Sequence, residues 1–98
     1  MSKPKKIYIN GMAFIPDHDI LLCNYITQTG FSIFESYVRI YATKRGRFYK
    51  VTCEASHDSE KKTAELITLE EATAFLNAHA PYIITYNYDR VFGNPERG

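Results

Sequence analysis

The residues with the most direct chemistry in this chain are three histidines, His18, His57 and His79, and two cysteines, Cys23 and Cys53. Histidine holds metals or moves protons near neutral pH, and a thiolate is a nucleophile or a soft metal ligand. Either use requires side chains that converge. The histidines fall in three separate segments, without the H-x-x-x-H or C-x-x-C spacing that sets two ligands on one face. No metal is expected. His57-Asp58-Ser59 uses the vocabulary of a hydrolase triad, but consecutive residues cannot form the relay, which needs a base held and oriented from elsewhere in the fold. That stretch reads as a polar loop. The glycines at 11, 30, 46, 93 and 98 stand singly, so the chain holds neither a phosphate-cradling loop nor a dinucleotide fingerprint. Glu70 and Glu71 open a helix, where negative charge offsets the dipole. A tyrosine nucleophile would need an activating Arg/His cluster or a metal, and the sequence specifies neither. The two cysteines are too few for a disulfide framework and are expected as reduced, buried thiols. No enzymatic activity and no cofactor are expected.

A different pattern occurs between residues 37 and 50. Tyr37, Arg39 and Tyr41 alternate with Val38, Ile40 and Ala42, and Lys44, Arg45 and Arg47 follow, with Phe48 and Lys50 beyond them. Aromatic rings interleaved with cations on an exposed sheet can stack bases and neutralise phosphates. Tyr and Arg are also enriched at protein-interface hot spots. The same residues have a plain structural account: Tyr is a good strand former, and cations at a hairpin tip discourage edge-to-edge aggregation. The candidate interaction surface is therefore Tyr37, Arg39, Tyr41, Lys44, Arg45, Arg47, Phe48 and Lys50. Acidic residues such as Glu35 and Glu54 interrupt it, which favours a protein partner over nucleic acid.

The elements that must position these residues follow from pattern. Lys6–Ile9 and Met12–Ile15 flank Asn10-Gly11, whose tolerance of positive φ suits a type I′ hairpin turn. Folding there pairs Ile9 with Met12 and Ile7 with Phe14 on one face, leaving Tyr8 and Ala13 on the other. Residues 20–27 read as a strand, with a short helix as the alternative. The second hairpin, 36–54, turns at 44–47. A two-residue loop at Arg45-Gly46 sets Ala42 opposite Tyr49, Ile40 opposite Val51 and Val38 opposite Cys53, all apolar. The other face then pairs Tyr41 with Lys50, Arg39 with Thr52 and Tyr37 with Glu54. Residues 55–63 read as a solvated loop and 64–67 as a short strand. Thr68-Leu69-Glu70-Glu71 is a capping box opening a helix over 69–79. Leu69, Ala72, Phe75, Leu76 and His79 make its apolar stripe. Pro81 stops that helix, and 82–92 suits a strand, a short helix, or one after the other. The expectation is an α+β fold: an antiparallel sheet of about four to six strands built from two hairpins, packed against one helix, with a short C-terminal element.

Ninety-eight residues fit one domain, with residues 1–5 as a basic tail and 94–98 as a C-terminal tail, both expected to be flexible. Apolar residues at 45% and charged residues at 23% give an ordinary globular balance, and the formal net charge of +1 means that any polyanion binding needs local clustering. No apolar run approaches the length that spans a bilayer, and Met1–Lys6 is followed by alternating sequence instead of a signal-type apolar block. A cytoplasmic protein without membrane contact is expected.

The run Tyr41-Ala42-Thr43-Lys44-Arg45-Gly46-Arg47-Phe48-Tyr49, followed by Ile67-Thr68-Leu69-Glu70-Glu71-Ala72 and Phe75-Leu76, resembles a group of small α+β proteins encoded by bacterial phages and mobile elements. Those open with a Lys-Ile-Tyr-Ile-Asn-Gly-like hairpin and close on a Tyr-x-x-x-Phe-Gly-like end, here Tyr88-Asp89-Arg90-Val91-Phe92-Gly93. The chain departs from the group over 17–31 and lacks its Gly-rich segment after the second hairpin. The resemblance implies a mobile-element source and, by analogy, an inhibitor of a host defence complex of the anti-CRISPR type, bound to a host protein or nucleoprotein complex. The alternatives are a sheet that binds single-stranded nucleic acid, compatible with a homodimer through an exposed edge, and a small structural or regulatory domain with no dedicated exposed site.

Overall fold

The computed structural model describes residues 6–28, 36–55 and 60–93. The expected tails at 1–5 and 94–98, the His57-Asp58-Ser59 stretch and the last residues of 17–31 lie outside these. The chain is α+β, with strands β1 (Ile7–Ile9), β2 (Met12–Phe14), β3 (Ile20–Gln28), β4 (Ser36–Ala42), β5 (Phe48–Ala55) and β6 (Glu60–Ile67). Two helices, α1 (Leu69–Ala78) and α2 (Thr85–Phe92), follow, joined through a 3-10 turn at Ala80–Tyr82. β1 and β2 form a two-stranded sheet of their own, while β3-β4-β5-β6 form an antiparallel four-stranded sheet in sequence order.

The first hairpin has the expected register, with Ile7 opposite Phe14 and Ile9 opposite Met12. Asn10 at φ 49° and Gly11 at φ 79° supply the two left-handed residues its tight turn requires. Ile9 and Phe14 are buried, and Tyr8 on the far face is 72% exposed.

The second hairpin is displaced by one residue from the expected register: Ala42 faces Phe48, Tyr41 faces Tyr49, Ile40 faces Lys50 and Arg39 faces Val51. The cause is the loop. Thr43 N–H donates to Arg47 O at 2.9 Å and Gly46 N–H donates to Thr43 O at 3.1 Å, so Lys44, Arg45 and Gly46 form a three-residue loop. Such a loop needs a left-handed residue at one position, which Gly46 fills at φ 80°. A two-residue type I′ loop at Arg45-Gly46 would have forced Arg45 there as well. One added loop residue reverses the facing of every β5 side chain relative to β4.

The larger sheet is covered on both sides. On one, Leu22, Cys23, Ile40, Ala42 and Phe48 pack with Ala72 and Leu76 of α1, and Tyr88, Val91 and Phe92 of α2 close over them. On the other, the first hairpin sets Ile9 and Phe14 against Tyr41, Tyr49 and Val51. Each fully buried aliphatic side chain such as Leu22, Ile40 or Leu76 contributes about 1.5–3 kcal/mol. Cys23 and Cys53 are buried thiols, not joined in a disulfide.

β3 is a strand, as its β-branched and aromatic content suggested. Its register shifts between Leu21 and Cys23. This bulge sends Leu22 and Cys23 to the helix side and returns Asn24 to the hairpin side, opposite Arg39. The outer edge of β3 is covered by the chain after α1: Ile84 N–H donates to Leu22 O and Asn87 Nδ2 donates to Leu21 O, each at 2.9 Å.

β6 begins at Glu60, so residues 60–63, expected in a loop, belong to a strand. It pairs with β5 from Phe48–Ile67 through Ala55–Glu60. The capping box at Thr68 is complete: Thr68 Oγ1 accepts from Glu71 N–H, and Glu71 Oε1 accepts from Thr68 N–H, each at 3.0 Å. Ala72 and Leu76 of the expected stripe are buried, whereas Leu69 is 53% exposed. His79 caps the helix C-terminus, its ring between Tyr25 and Phe75 with centroids 4.2 Å from each. Among the described residues no helix is long and apolar enough to cross a membrane.

Candidate binding site

The shifted register redistributes the eight candidate residues. Tyr37, Arg39 and Tyr41 lie on the hairpin side of the sheet, with Cys53, Val51 and Tyr49 as their β5 neighbours. Lys50 points to the helix side, where its Nζ is 2.9 Å from Glu65 Oε1. Phe48, also on the helix side, is 7% exposed and stacks on Phe92 with centroids 5.9 Å apart. Tyr41 is likewise 7% exposed, because the first hairpin covers it. The continuous exposed array of Tyr37, Arg39, Tyr41, Phe48 and Lys50 expected from alternation is therefore not formed. The pattern assumed one covered face, whereas this sheet has two. Lys44, Arg45 and Arg47 are exposed at the tip as expected.

What remains accessible is a cleft of about 490 Å³ at the open end of the first hairpin. Its floor is Tyr37, Arg39, Tyr41, Val51 and Ala64; Lys6–Tyr8 and Pro16-Asp17 form one wall, and Lys62 and Thr63 of β6 another. Among the described residues, three cations, Lys6, Arg39 and Lys62, line it with one carboxylate, Asp17.

Arg39 is held from two directions. Its Nε donates to Asn24 Oδ1 at 3.1 Å. Its guanidinium carbon sits 3.9 Å from the Tyr37 ring centroid, a cation–π contact. The Tyr41 hydroxyl lies near enough for the Arg39 charge to act on it. Burial pushes the Tyr41 phenol above its ordinary value; the Arg39 charge pulls the other way, and Tyr37 and Asp17 add to the rise.

Behind Tyr41 lies Tyr49, fully buried and stacked on it with centroids 5.0 Å apart. The Tyr49 hydroxyl donates to Asp19 Oδ2 at 2.6 Å. Burial raises its pKa far above the ordinary tyrosine value, and the bond to Asp19 and that carboxylate's charge raise it further. This pair ties the turn after β2 to the centre of the sheet.

A second cleft of about 540 Å³ lies beside the tip, where Lys44, Arg45, Arg47 and His18 surround Met12–Ile15, with Asp19 at its margin. Among the described residues, the two clefts together carry six Lys and Arg side chains and two carboxylates. The remaining candidates for chemistry are dispersed. Among the described residues no three His, Cys, Asp or Glu side chains gather as a metal would require.

Sequence reasoning missed Lys6, Asp17, Asn24 and Lys62. Lys62 shares its face with Ala64 and Leu66, a period-two signal that the polarity of 60–63 obscured. Asn24 carried no such signal, because the bulge at Leu22 decides its side. No protein-family model, curated protein or solved structure matches the chain.

Proposed function

We propose that the protein is a non-enzymatic binding module whose hairpin-side surface docks on an anionic surface of a protein partner. The setting we infer is that of the resemblance: a phage or mobile-element protein that occupies a host defence complex of the anti-CRISPR kind. The observation that carries the binding reading is charge placement. In a chain of net charge +1, the described residues lining the two clefts include six Lys and Arg side chains and two carboxylates. Clustered charge of one sign steers an oppositely charged partner and sets its register.

Stacking of nucleic-acid bases finds less support, because Tyr41 and Phe48 are buried and one face of Tyr37 already carries Arg39. Immobilised protein exposed to bacterial lysate, followed by mass spectrometry, tests the reading. A protein retained by the wild type and released when Lys44, Arg45 and Arg47 are changed to Glu is the expected result. Retention that is indifferent to these charges and to those of the 490 Å³ cleft removes the reading. Nuclease-sensitive retention replaces it with a nucleic-acid partner.

A further inference from the structure

We propose that the cleft at the open end of the first hairpin receives an acidic peptide segment of the partner, with Arg39 as its anchoring cation. This inference rests on the binding reading above and narrows it to one cleft and one ligand chemistry.

An arginine side chain normally loses considerable rotamer freedom when it engages an anion. Here the bond from Nε to Asn24 and the Tyr37 ring already hold the guanidinium before any ligand arrives. The β3 bulge that brings Asn24 opposite Arg39 makes this arrangement part of the fold. A planar fork held in place is suited to bidentate capture of a carboxylate.

Lys6 and Lys62 stand on opposite walls of the same cleft, so acidic side chains on either side of the anchored one also meet cations. Asp17 decides between ligand classes. A carboxylate within a cationic cleft repels a phosphodiester backbone, which offers acceptors only. A polypeptide offers carboxylates to the cations and N–H groups to Asp17. The rings of the cleft floor are engaged, Tyr41 stacked on Tyr49 and Tyr37 overlaid by Arg39, which leaves Tyr8 on the wall as the exposed ring. A cleft of about 490 Å³ has room for a few residues of extended chain along β6.

The probe is a dye-labelled hexaglutamate peptide, with hexaglutamine and a six-nucleotide thymidine strand as comparisons, read by fluorescence anisotropy at low salt. Hexaglutamate is expected to bind the wild type and to bind Arg39→Gln about tenfold more weakly, since a charge-assisted hydrogen-bonded contact is lost. Lys62→Gln, at an exposed position, is expected to weaken binding about threefold, with urea unfolding of the variant confirming that it is folded. The tip variant with Lys44, Arg45 and Arg47 changed to Gln removes charge outside this cleft and should weaken hexaglutamate less than Arg39→Gln does. Hexaglutamate affinity unchanged in both Arg39→Gln and Lys62→Gln overturns the inference, as does tighter binding of the thymidine strand. Loss in the tip variant alone overturns this cleft as the site and leaves the broader reading intact. Equal binding of hexaglutamate and hexaglutamine to the wild type removes the ionic basis of both.

Discussion

Tyr49 shows how one hydroxyl ties two layers together. Its ring is fully buried between Phe14 of the first hairpin and Tyr41 of the sheet, and its hydroxyl reaches Asp19 at 2.6 Å. Tyr49→Phe keeps the ring but leaves Asp19 with one partner fewer. The expected loss is about 1–3 kcal/mol by urea unfolding, in the range for hydrogen bonds to charged groups. The same residue sets a pH dependence. Its folded pKa lies above the ordinary value of 10.0, so the folded chain holds a proton that the unfolded chain releases. Stability is therefore complete below pH 10 and falls as pH rises from there toward the folded value, by up to about 1.4 kcal/mol per pH unit for each such group. Tyr41 acts in the same direction, and Cys23, raised from 9.0 by burial, begins the decline slightly earlier. Urea midpoints at pH 8 and pH 10.5 check the sign, and unchanged midpoints would contradict it. The acidic-peptide experiment on Arg39 belongs to this scale as well. Arg39 was legible as a candidate because it alternates with aromatics; its support by Asn24 was not, since a bulge brings that partner to the same face.

The elements differ in how local their causes are. The first hairpin and α1 are specified by neighbouring residues. Asn10-Gly11 supplies both positive φ angles, and Thr68 and Glu71 satisfy each other's amides. Thr68→Ala should cost about 1 kcal/mol, measurable by thermal or urea unfolding, with the helix start fraying first. The second hairpin depends on Gly46, at φ 80°. Gly46→Ala should cost about 1 kcal/mol or more in the same measurement, because a Cβ is strained at that angle even with open space around it. Its register departs from the apolar-to-apolar alternation because the three-residue loop sets the alignment, leaving Lys50 and Thr52 opposite Ile40 and Val38. β6 was half hidden because Glu60, Lys61, Lys62 and Thr63 have the composition of a loop. Pairing with β5 overrides that weak local preference.

At the scale of the molecule, the protein is a four-stranded sheet between two helices and a two-stranded flap. The flap is small, since β1 and β2 have three residues each and anchor through Ile9 and Phe14. A two-stranded hairpin is marginal alone in water, so its order is borrowed from the sheet. Phe14→Ala should lose about 3–5 kcal/mol if the site does not collapse. Hydrogen exchange should show protection lost first in β1 and β2, while β4 and β5 stay protected. Uniform loss across all strands would mean that the flap is not a separate unit. Because the flap forms one wall of the Arg39 cleft, the same variant should weaken hexaglutamate binding even at temperatures where the sheet remains folded.

Composition, turn chemistry and capping by themselves determined the α+β class, the first hairpin with its register, the position of α1 and the presence of a basic tip, because each rests on interactions between residues close in the chain. Only the tertiary structure decided which side of β5 faces which layer, that Tyr41 and Phe48 are interior, and that Lys6, Arg39 and Lys62 share a cleft. Those outcomes depend on one loop residue, one bulge and a second covering layer, and a side chain in a strand reverses its direction with a single residue of shift.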